Sequence, residues 1–219
     1  MIEIIRSHQR RKSLRQQVPH PDLKLKSGWT WLWPRSYLRQ INFDFERVAW
    51  GFETNQSGGR RTAVFDFYRK KPDDGARYWS TASLVEVASG LDFRLGRETS
   101  LVGKYFRGLT TDNRERIQLT DTYSLHVESG HALSQDMLDD LRRFVAKHDF
   151  EFALLRNSGL LMEGCGHSFF PDKPRSILAW MWWLIETEIL GAREYEEPRA
   201  FWNLLDRNIE LAELIEKHQ

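Results

Sequence analysis

Two segments with the alternating pattern of β-strands carry side chains that are able to bind a metal ion or a phosphate group. Because every second residue of a strand lies on the same face, each segment aligns three such side chains: Ser124, His126 and Glu128 in the first, and Glu163, Cys165 and His167 in the second. If the two strands are neighbours that present the same face, His126, Glu128 and His167 converge. Imidazole and carboxylate groups ligate divalent ions, and histidine also contacts phosphate oxygens.

Three other interpretations of these residues stay open. In the plainest one, His126 is a hydrogen-bonded core histidine, Cys165 is a small buried hydrophobic residue, and Gly164 and Gly166 mark a bulge. The second is a zinc site, because nitrogen and thiolate ligands suit zinc, although the paired Cys-x-x-Cys spacing is absent. Its ligands would be His126, Glu128, His131, Cys165 and His167. In the third, Cys165 is a nucleophile beside a histidine, without a visible positioning motif.

A group of carboxylates in the N-terminal half offers a different metal site. Asp44 and Glu46 share one face of a predicted strand, and Asp66 lies on the strand expected to pair with it. Paired carboxylates hold Mg²⁺, so a metal-dependent nuclease is one hypothesis. In the plainer alternative, the neighbouring phenylalanines pack inward and the carboxylates pair with Arg47 or Arg69 on the solvent face.

The hydrophobic pattern predicts the elements that position these groups. Segments 42–54 and 61–70 are predicted to form a β-hairpin. The downstream pattern predicts a strand at 117–129, a helix at 134–147 capped by Ser134, strands at 150–156 and 160–170, an apolar helix at 177–190 and a helix that begins at Pro198. The alternation of Trp29, Trp31 and Trp33 predicts a short extended segment. Residues 83–89 are expected to form a short helix, and residues 90–116 loops and short elements.

This order of elements predicts an α+β fold, with a mostly antiparallel sheet and helices packed on one face. Residues 117–219 would form an RRM-like βαββα core with a further C-terminal helix, and residues 41–116 an N-terminal β-hairpin and loops. Residues 41–219 are expected to be a single domain, preceded by a basic, aromatic arm at 1–40.

The segment from about 120 to 190 resembles the archaeo-eukaryotic primase-polymerase superfamily. The order of four motifs carries the resemblance: Leu125-His-Val-Glu128, the helix at 134–147, Phe152-Ala-Leu-Leu-Arg-Asn-Ser-Gly159, and Gly166-His-Ser-Phe-Phe-Pro171. It covers well under half of the chain. The resemblance implies that Glu128 takes the place of the second metal-binding carboxylate of that family. It also implies that Ser158 and His167 contact the phosphates of a nucleotide, and the nucleic-acid hypothesis adds Arg156 as a third phosphate contact.

The sequence departs from that family in ways that bear on catalysis. His126 stands where the first carboxylate belongs, residues 160–165 lengthen the gap before Gly166, and Asp172 comes too early to serve as the third-motif aspartate. One carboxylate and one imidazole suit two Mg²⁺ ions poorly, because Mg²⁺ prefers oxygen ligands. The resemblance therefore implies a divergent or inactive nucleotidyltransferase-like domain that binds nucleotide or nucleic acid. His126 and Glu128 would ligate a Mg²⁺ or Mn²⁺ ion if one binds, and Zn²⁺ is less favoured.

Charge is distributed unevenly along the chain. Residues 1–40 hold nine basic and two acidic side chains, whereas residues 186–219 hold nine acidic and four basic ones. A basic segment attracts phosphate backbones by releasing counterions. The residues expected to follow a nucleic-acid backbone are Arg10, Arg11, Lys12, Arg15, Lys104 and Arg107. In the alternative, the basic arm packs against the acidic C-terminal helices of its own chain or of a second copy.

Composition and missing motifs narrow the classes of protein. The single cysteine excludes an internal disulfide and fits a reducing compartment. No apolar run approaches the roughly 20 residues of a membrane helix, so a cytoplasmic protein without membrane contact is expected. The chain has no nucleotide-binding glycine loop, no dinucleotide fingerprint and no serine elbow. Three functions stay open: a nucleic-acid or nucleotide-binding protein, a non-enzymatic interaction or assembly protein that docks a protein partner or forms a homo-oligomer, and a metal-dependent nuclease.

Overall fold

The computed structural model describes residues 14–19, 22–27, 31–41, 43, 45, 47–55, 60–70, 77–97, 114–128, 133–164 and 198–219. These residues form nine strands and three helices. In chain order they are β1 (Lys24–Ser27), α1 (Leu32–Gln40), β2 (Arg47–Asn55), β3 (Arg61–Lys70), β4 (Arg77–Glu86), β5 (Phe93–Arg97), β6 (Arg114–Gln118), β7 (Tyr123–Glu128), α2 (Gln135–Lys147), β8 (Phe152–Arg156), β9 (Gly159–Glu163) and α3 (Pro198–Lys217).

All nine strands belong to one sheet, whose order is β1-β2-β3-β4-β9-β8-β5-β7-β6. Every neighbouring pair of strands is antiparallel. The predicted α+β class with a mostly antiparallel sheet is therefore confirmed.

Apolar side chains cover both faces of this sheet. On the first face, Phe93, Leu125 and Leu160 pack with residues of α2 and α3. On the second face, Phe65 and Leu161 pack with residues of α1. The alternation of side chains along each strand separates these two sets. Helix α1 thus adds a layer opposite α2 and α3, whereas the sequence led us to expect helices on one face.

Local sequence signals account for the elements that were predicted well. The hairpin of β2 and β3 is confirmed, with Thr54 opposite Thr62 near its turn. Helix α2 begins after Ser134, whose hydroxyl accepts a hydrogen bond from the Met137 amide at 3.2 Å, as expected of an N-cap. The turn between β8 and β9 uses Asn157 and Ser158 with φ of 50° and 58°. Positive φ at both central positions is the requirement of a type I′ hairpin turn.

The Trp31–Trp33 segment was predicted to be extended, and this prediction was wrong. Trp31 instead precedes α1, in which Trp33 and Pro34 lie in the first turn. Proline is tolerated there, because the amide of a first-turn residue has no partner within the helix. An alternation of three tryptophans is too short to distinguish a strand from a helix start. Trp29 lies outside the described residues.

Two strand assignments also differ from expectation. Residues 83–86 belong to β4, between β3 and β9, rather than to a short helix. The expected strand at 117–129 is a hairpin, because the backbone turns at 119–122 and Thr120 Oγ1 accepts a hydrogen bond from the Tyr123 amide at 3.1 Å. Pairing with neighbouring strands overrides weak local preference in both places.

Of the strand expected at 160–170, the described part forms β9 and ends at Glu163. The helix expected at 177–190 lies outside the described residues.

The β-α-β unit formed by β7, α2 and β8 has a strand from elsewhere at its centre. β7 and β8 are both antiparallel to β5, which lies between them, and β9 lies on the other side of β8. The middle strand therefore comes from residues 93–97, outside the core predicted at 117–219.

The described residues of segment 1–40 are built into this fold. β1 pairs with β2, and the buried side chains of Leu14 and Leu23 belong to the same hydrophobic cluster as Phe201 and Trp202 of α3.

Candidate nucleic-acid interface

A single row of residues crosses all nine strands on the second face. Each member is the registered partner of the next: Lys24, Glu53, Ala63, Leu84, Leu161, Leu154, Arg94, His126 and Arg116. The row is apolar from Ala63 to Leu154 and changes to charged or titratable side chains at Arg94. We call its last three members, Arg94, His126 and Arg116, the basic row.

The strands of the basic row are held in place from the opposite face. Phe93 and Leu95 flank Arg94 in sequence, and Leu125 and Val127 flank His126; all four are at most 2% exposed. They pack in the cluster that includes α2 and α3. Because neighbouring residues of a strand point to opposite faces, burial of these apolar side chains directs Arg94 and His126 to the second face.

The rows on either side of the basic row are also polar. On one side, Ser124 pairs with Gly96 and Gln118, and its hydroxyl lies 3.2 Å from His126 Nε2. On the other side, the Glu128 amide donates to the Asp92 carbonyl at 3.3 Å. We call the second-face residues of β5, β7 and β6 the polar half of that face.

Exposure of the polar half increases from β5 to β6. Arg94 is 8% exposed and Ser124 is 5% exposed. His126 is half-buried, whereas Arg116 and Glu128 are exposed. A ligand that approaches the basic row would therefore meet the exposed guanidinium of Arg116 at β6, whereas Arg94 at β5 is largely enclosed by the protein.

Arg156, a predicted phosphate contact, lies at the end of β8 next to the polar half. Its Nε is 3.3 Å from Asp92 Oδ2, and the Arg156 side chain is 37% exposed. Ser158 is exposed in the β8–β9 turn, and its carbonyl accepts a hydrogen bond from the Val87 amide at 3.0 Å. Asp92 thus links Arg156 to the polar half, because its carbonyl also accepts from the Glu128 amide, and Ser158 lies in the turn that follows Arg156.

The two strands expected to form one site are not neighbours. β8 and β5 lie between β9 and β7, which places β9 and β7 roughly 14 Å apart at the usual strand spacing. Register also puts Glu163 level with Phe152, Gly96 and Ser124, not with Glu128. β9 therefore ends level with the start of β7, whereas Glu128 lies at the other end of β7. Cys165 and His167, which follow it, lie outside the described residues.

Most of the residues predicted to contact a nucleic-acid backbone fall outside the described ranges, namely Arg10, Arg11, Lys12, Lys104 and Arg107. Arg15 is described, and it is exposed beside the buried Leu14.

Asp66 and Glu163, two carboxylates of the predicted site groups, are engaged by the protein. Asp66 is 4% exposed on the first face and accepts a hydrogen bond from Thr81 Oγ1 at 2.6 Å. Glu163 is 2% exposed and accepts one from Ser80 Oγ. Within the described ranges, no three His, Cys, Asp or Glu residues form a group that could hold a metal ion. Asp44, Glu46 and His131, members of the other predicted metal groups, lie outside those ranges.

Sequence reasoning missed Arg94 and Arg116 as partners of His126. Both residues fall in segment 90–116, which was predicted to form loops and short elements. Phe93-Arg-Leu-Gly-Arg97 nevertheless alternates apolar and polar residues, as a half-buried strand does. Arg114-Glu-Arg-Ile-Gln118 is too polar for its pattern to reveal an edge strand.

Comparison with known proteins returns no relative. No protein-family model matches the chain, and neither a curated protein nor a solved structure matches it. Among the helices of the described residues, none is both long enough and apolar enough to span a membrane.

Proposed function

We propose that the protein binds nucleic acid or a nucleotide through the polar half of the second sheet face, as a divergent and catalytically impaired primase-polymerase-like domain. The observation that carries the proposal is the basic row, in which Arg94, His126 and Arg116 are registered on three adjacent strands. Guanidinium groups bind phosphate oxygens through paired, charge-assisted hydrogen bonds.

The surroundings of the basic row favour an anionic ligand. Beside the Arg156–Asp92 pair, the described side chains of this face include the two guanidiniums and the imidazole of the basic row and the carboxylate of Glu128. Histidine and arginine planes also stack on unpaired bases, which is how proteins commonly read single-stranded RNA. The polar half is therefore suited to a single strand or a nucleotide, with a phosphate on the exposed Arg116 and a base over the half-buried His126.

Charge reversal at Arg116 tests the proposal. The wild-type protein and Arg116→Glu are titrated against a labelled single-stranded oligonucleotide, by fluorescence anisotropy at several salt concentrations. Loss of one phosphate contact is expected to weaken binding roughly tenfold, as the loss of one charge-assisted hydrogen bond does. It should also reduce the magnitude of the salt slope by about 0.7 for a single strand.

Arg142→Glu is the matched control, because it makes the same change in net charge on α2. Arg142 is 40% exposed and pairs with Asp139 one turn away, on the helix that packs against the first face. The proposal requires Arg142→Glu to bind like the wild type. Equal weakening by both variants would indicate attraction to net charge alone, and no wild-type affinity at low salt would refute the proposal.

A further inference from the structure

Tyr37 of α1 reaches the turn that carries Ser158. Its hydroxyl lies 2.5 Å from the Gly159 carbonyl oxygen and 3.0 Å from the Arg156 carbonyl oxygen. The single hydroxyl proton is thus shared between the two carbonyls, one on each side of the Asn157–Ser158 turn. Tyr37 is 5% exposed, so this contact is made away from water, where a hydrogen bond is stronger and its loss more costly.

The ring of Tyr37 also fills the space that a side chain at position 159 would need. A Cβ on Gly159 would lie 2.2 Å from Tyr37 Cε2. Glycine at this position therefore lets the helix approach the backbone closely enough for the hydroxyl to reach both carbonyls.

The turn held in this way has a backbone conformation that residues other than glycine seldom adopt. Asn157 and Ser158 both have positive φ, at 50° and 58°, and both side chains are exposed. Such a conformation persists when surrounding contacts fix it. Two contacts do so here: the Tyr37 hydroxyl, and the Val87 amide that donates to the Ser158 carbonyl.

Tyr37 keeps its proton over the whole range in which proteins are stable. Burial raises the pKa of its hydroxyl far above the ordinary value, and the nearby Asp92 carboxylate raises that pKa further. The hydroxyl is therefore a permanent hydrogen-bond donor to the turn.

We infer that Tyr37 is a positioning residue of the proposed ligand site, which fixes where the Ser158 hydroxyl and the Arg156 side chain meet a phosphate. The inference rests on the proposed function, because it assigns a role within that site. Tyr37 contacts the turn through the backbone carbonyls of Arg156 and Gly159. Its effect on a ligand passes through Ser158 and Arg156.

Tyr37→Phe tests the first step, the restraint of the turn. The variant keeps the ring beside Gly159 and is therefore expected to fold. Hydrogen exchange of the Val87 amide reports opening of the turn, because this amide donates to the Ser158 carbonyl. Exchange at Val87 should accelerate roughly fivefold, the factor that corresponds to one neutral hydrogen bond. The Leu125 amide, at the centre of β7, should accelerate less.

A double-mutant cycle with Ser158→Ala tests the second step, using a nucleoside triphosphate as the probe. Tyr37→Phe should weaken binding roughly fivefold, and Ser158→Ala should then cost little more, since the hydroxyl has already lost its position. A merely structural Tyr37 would give effects that add.

The outcomes separate this inference from the proposed function. If Arg116→Glu loses affinity while Tyr37→Phe retains it, or if the effects of Tyr37→Phe and Ser158→Ala add, the role of Tyr37 is refuted and the binding face stands. If the wild type binds neither oligonucleotide nor nucleotide, both are refuted.

Discussion

The two halves of the second sheet face are built from one continuous set of antiparallel strands but differ completely in chemistry. In the half covered by α1, the shared row reads Ala63, Leu84, Leu161 and Leu154; beyond it, the same row continues with Arg94, His126 and Arg116. The change occurs between two paired residues, Leu154 of β8 and Arg94 of β5. The apolar half faces a helix, whereas the polar half presents charge.

The two halves also differ in how they are supported. The apolar half is stabilised on both faces, by α1 on the second face and by α3 on the first. Among the described residues, helices pack on the polar half only from the first face, where Phe93 and Leu125 are fully buried. The exposed side chains of the polar half, such as Arg116 and Glu128, are therefore expected to change without loss of the fold. A binding site built on such strands is positioned rigidly and costs the core little.

The largest effect on stability is expected from the apolar half. Phe65 is fully buried and meets Trp31 edge-on, with ring centroids 5.8 Å apart. Phe65→Ala should reduce the free energy of unfolding by about 3–5 kcal/mol, from lost burial and the cavity left behind. Urea denaturation measures this, and Phe65→Leu is the control that should lose much less. A loss below about 1 kcal/mol for Phe65→Ala would contradict the assignment of a packed half.

A smaller loss is expected at the charged end of the apolar half. Glu53 is 6% exposed and accepts hydrogen bonds from Trp31 Nε1 at 2.5 Å and from Arg61 Nε at 2.6 Å. Glu53→Ala leaves a buried indole donor without its acceptor, so unfolding should become easier by about 2 kcal/mol.

Glu128 provides the matched comparison for Glu53, because it is an exposed glutamate of the polar half. Glu128→Ala should change the free energy of unfolding by less than about 0.5 kcal/mol. Thermal and urea denaturation of the two variants side by side check the contrast. Similar losses at both positions would show that burial does not distinguish the two halves.

The sequence predicted the local parts of the fold better than their arrangement. The β2–β3 hairpin, the Ser134 cap and the Asn157–Ser158 turn all follow from signals within a few residues. The position of β5 between β7 and β8 does not, because strand order depends on contacts between distant segments. The same limit explains the site: periodicity put His126 and Glu128 on one face, but only the register brings Arg94 and Arg116 beside His126.

The smallest effect on stability is expected at Arg116, and there a null result in folding is as informative as a loss in binding. Arg116 is exposed on β6, where its guanidinium contacts Gln118 Oε1 at 3.1 Å. Arg116→Val removes that surface contact but adds a residue that favours strands. The free energy of unfolding should therefore stay within about 0.5 kcal/mol of the wild type, while oligonucleotide affinity falls. A variant that lost stability and affinity together would show that Arg116 supports the sheet. Loss of affinity alone would show that the polar half is free to serve a ligand because the first face holds its strands.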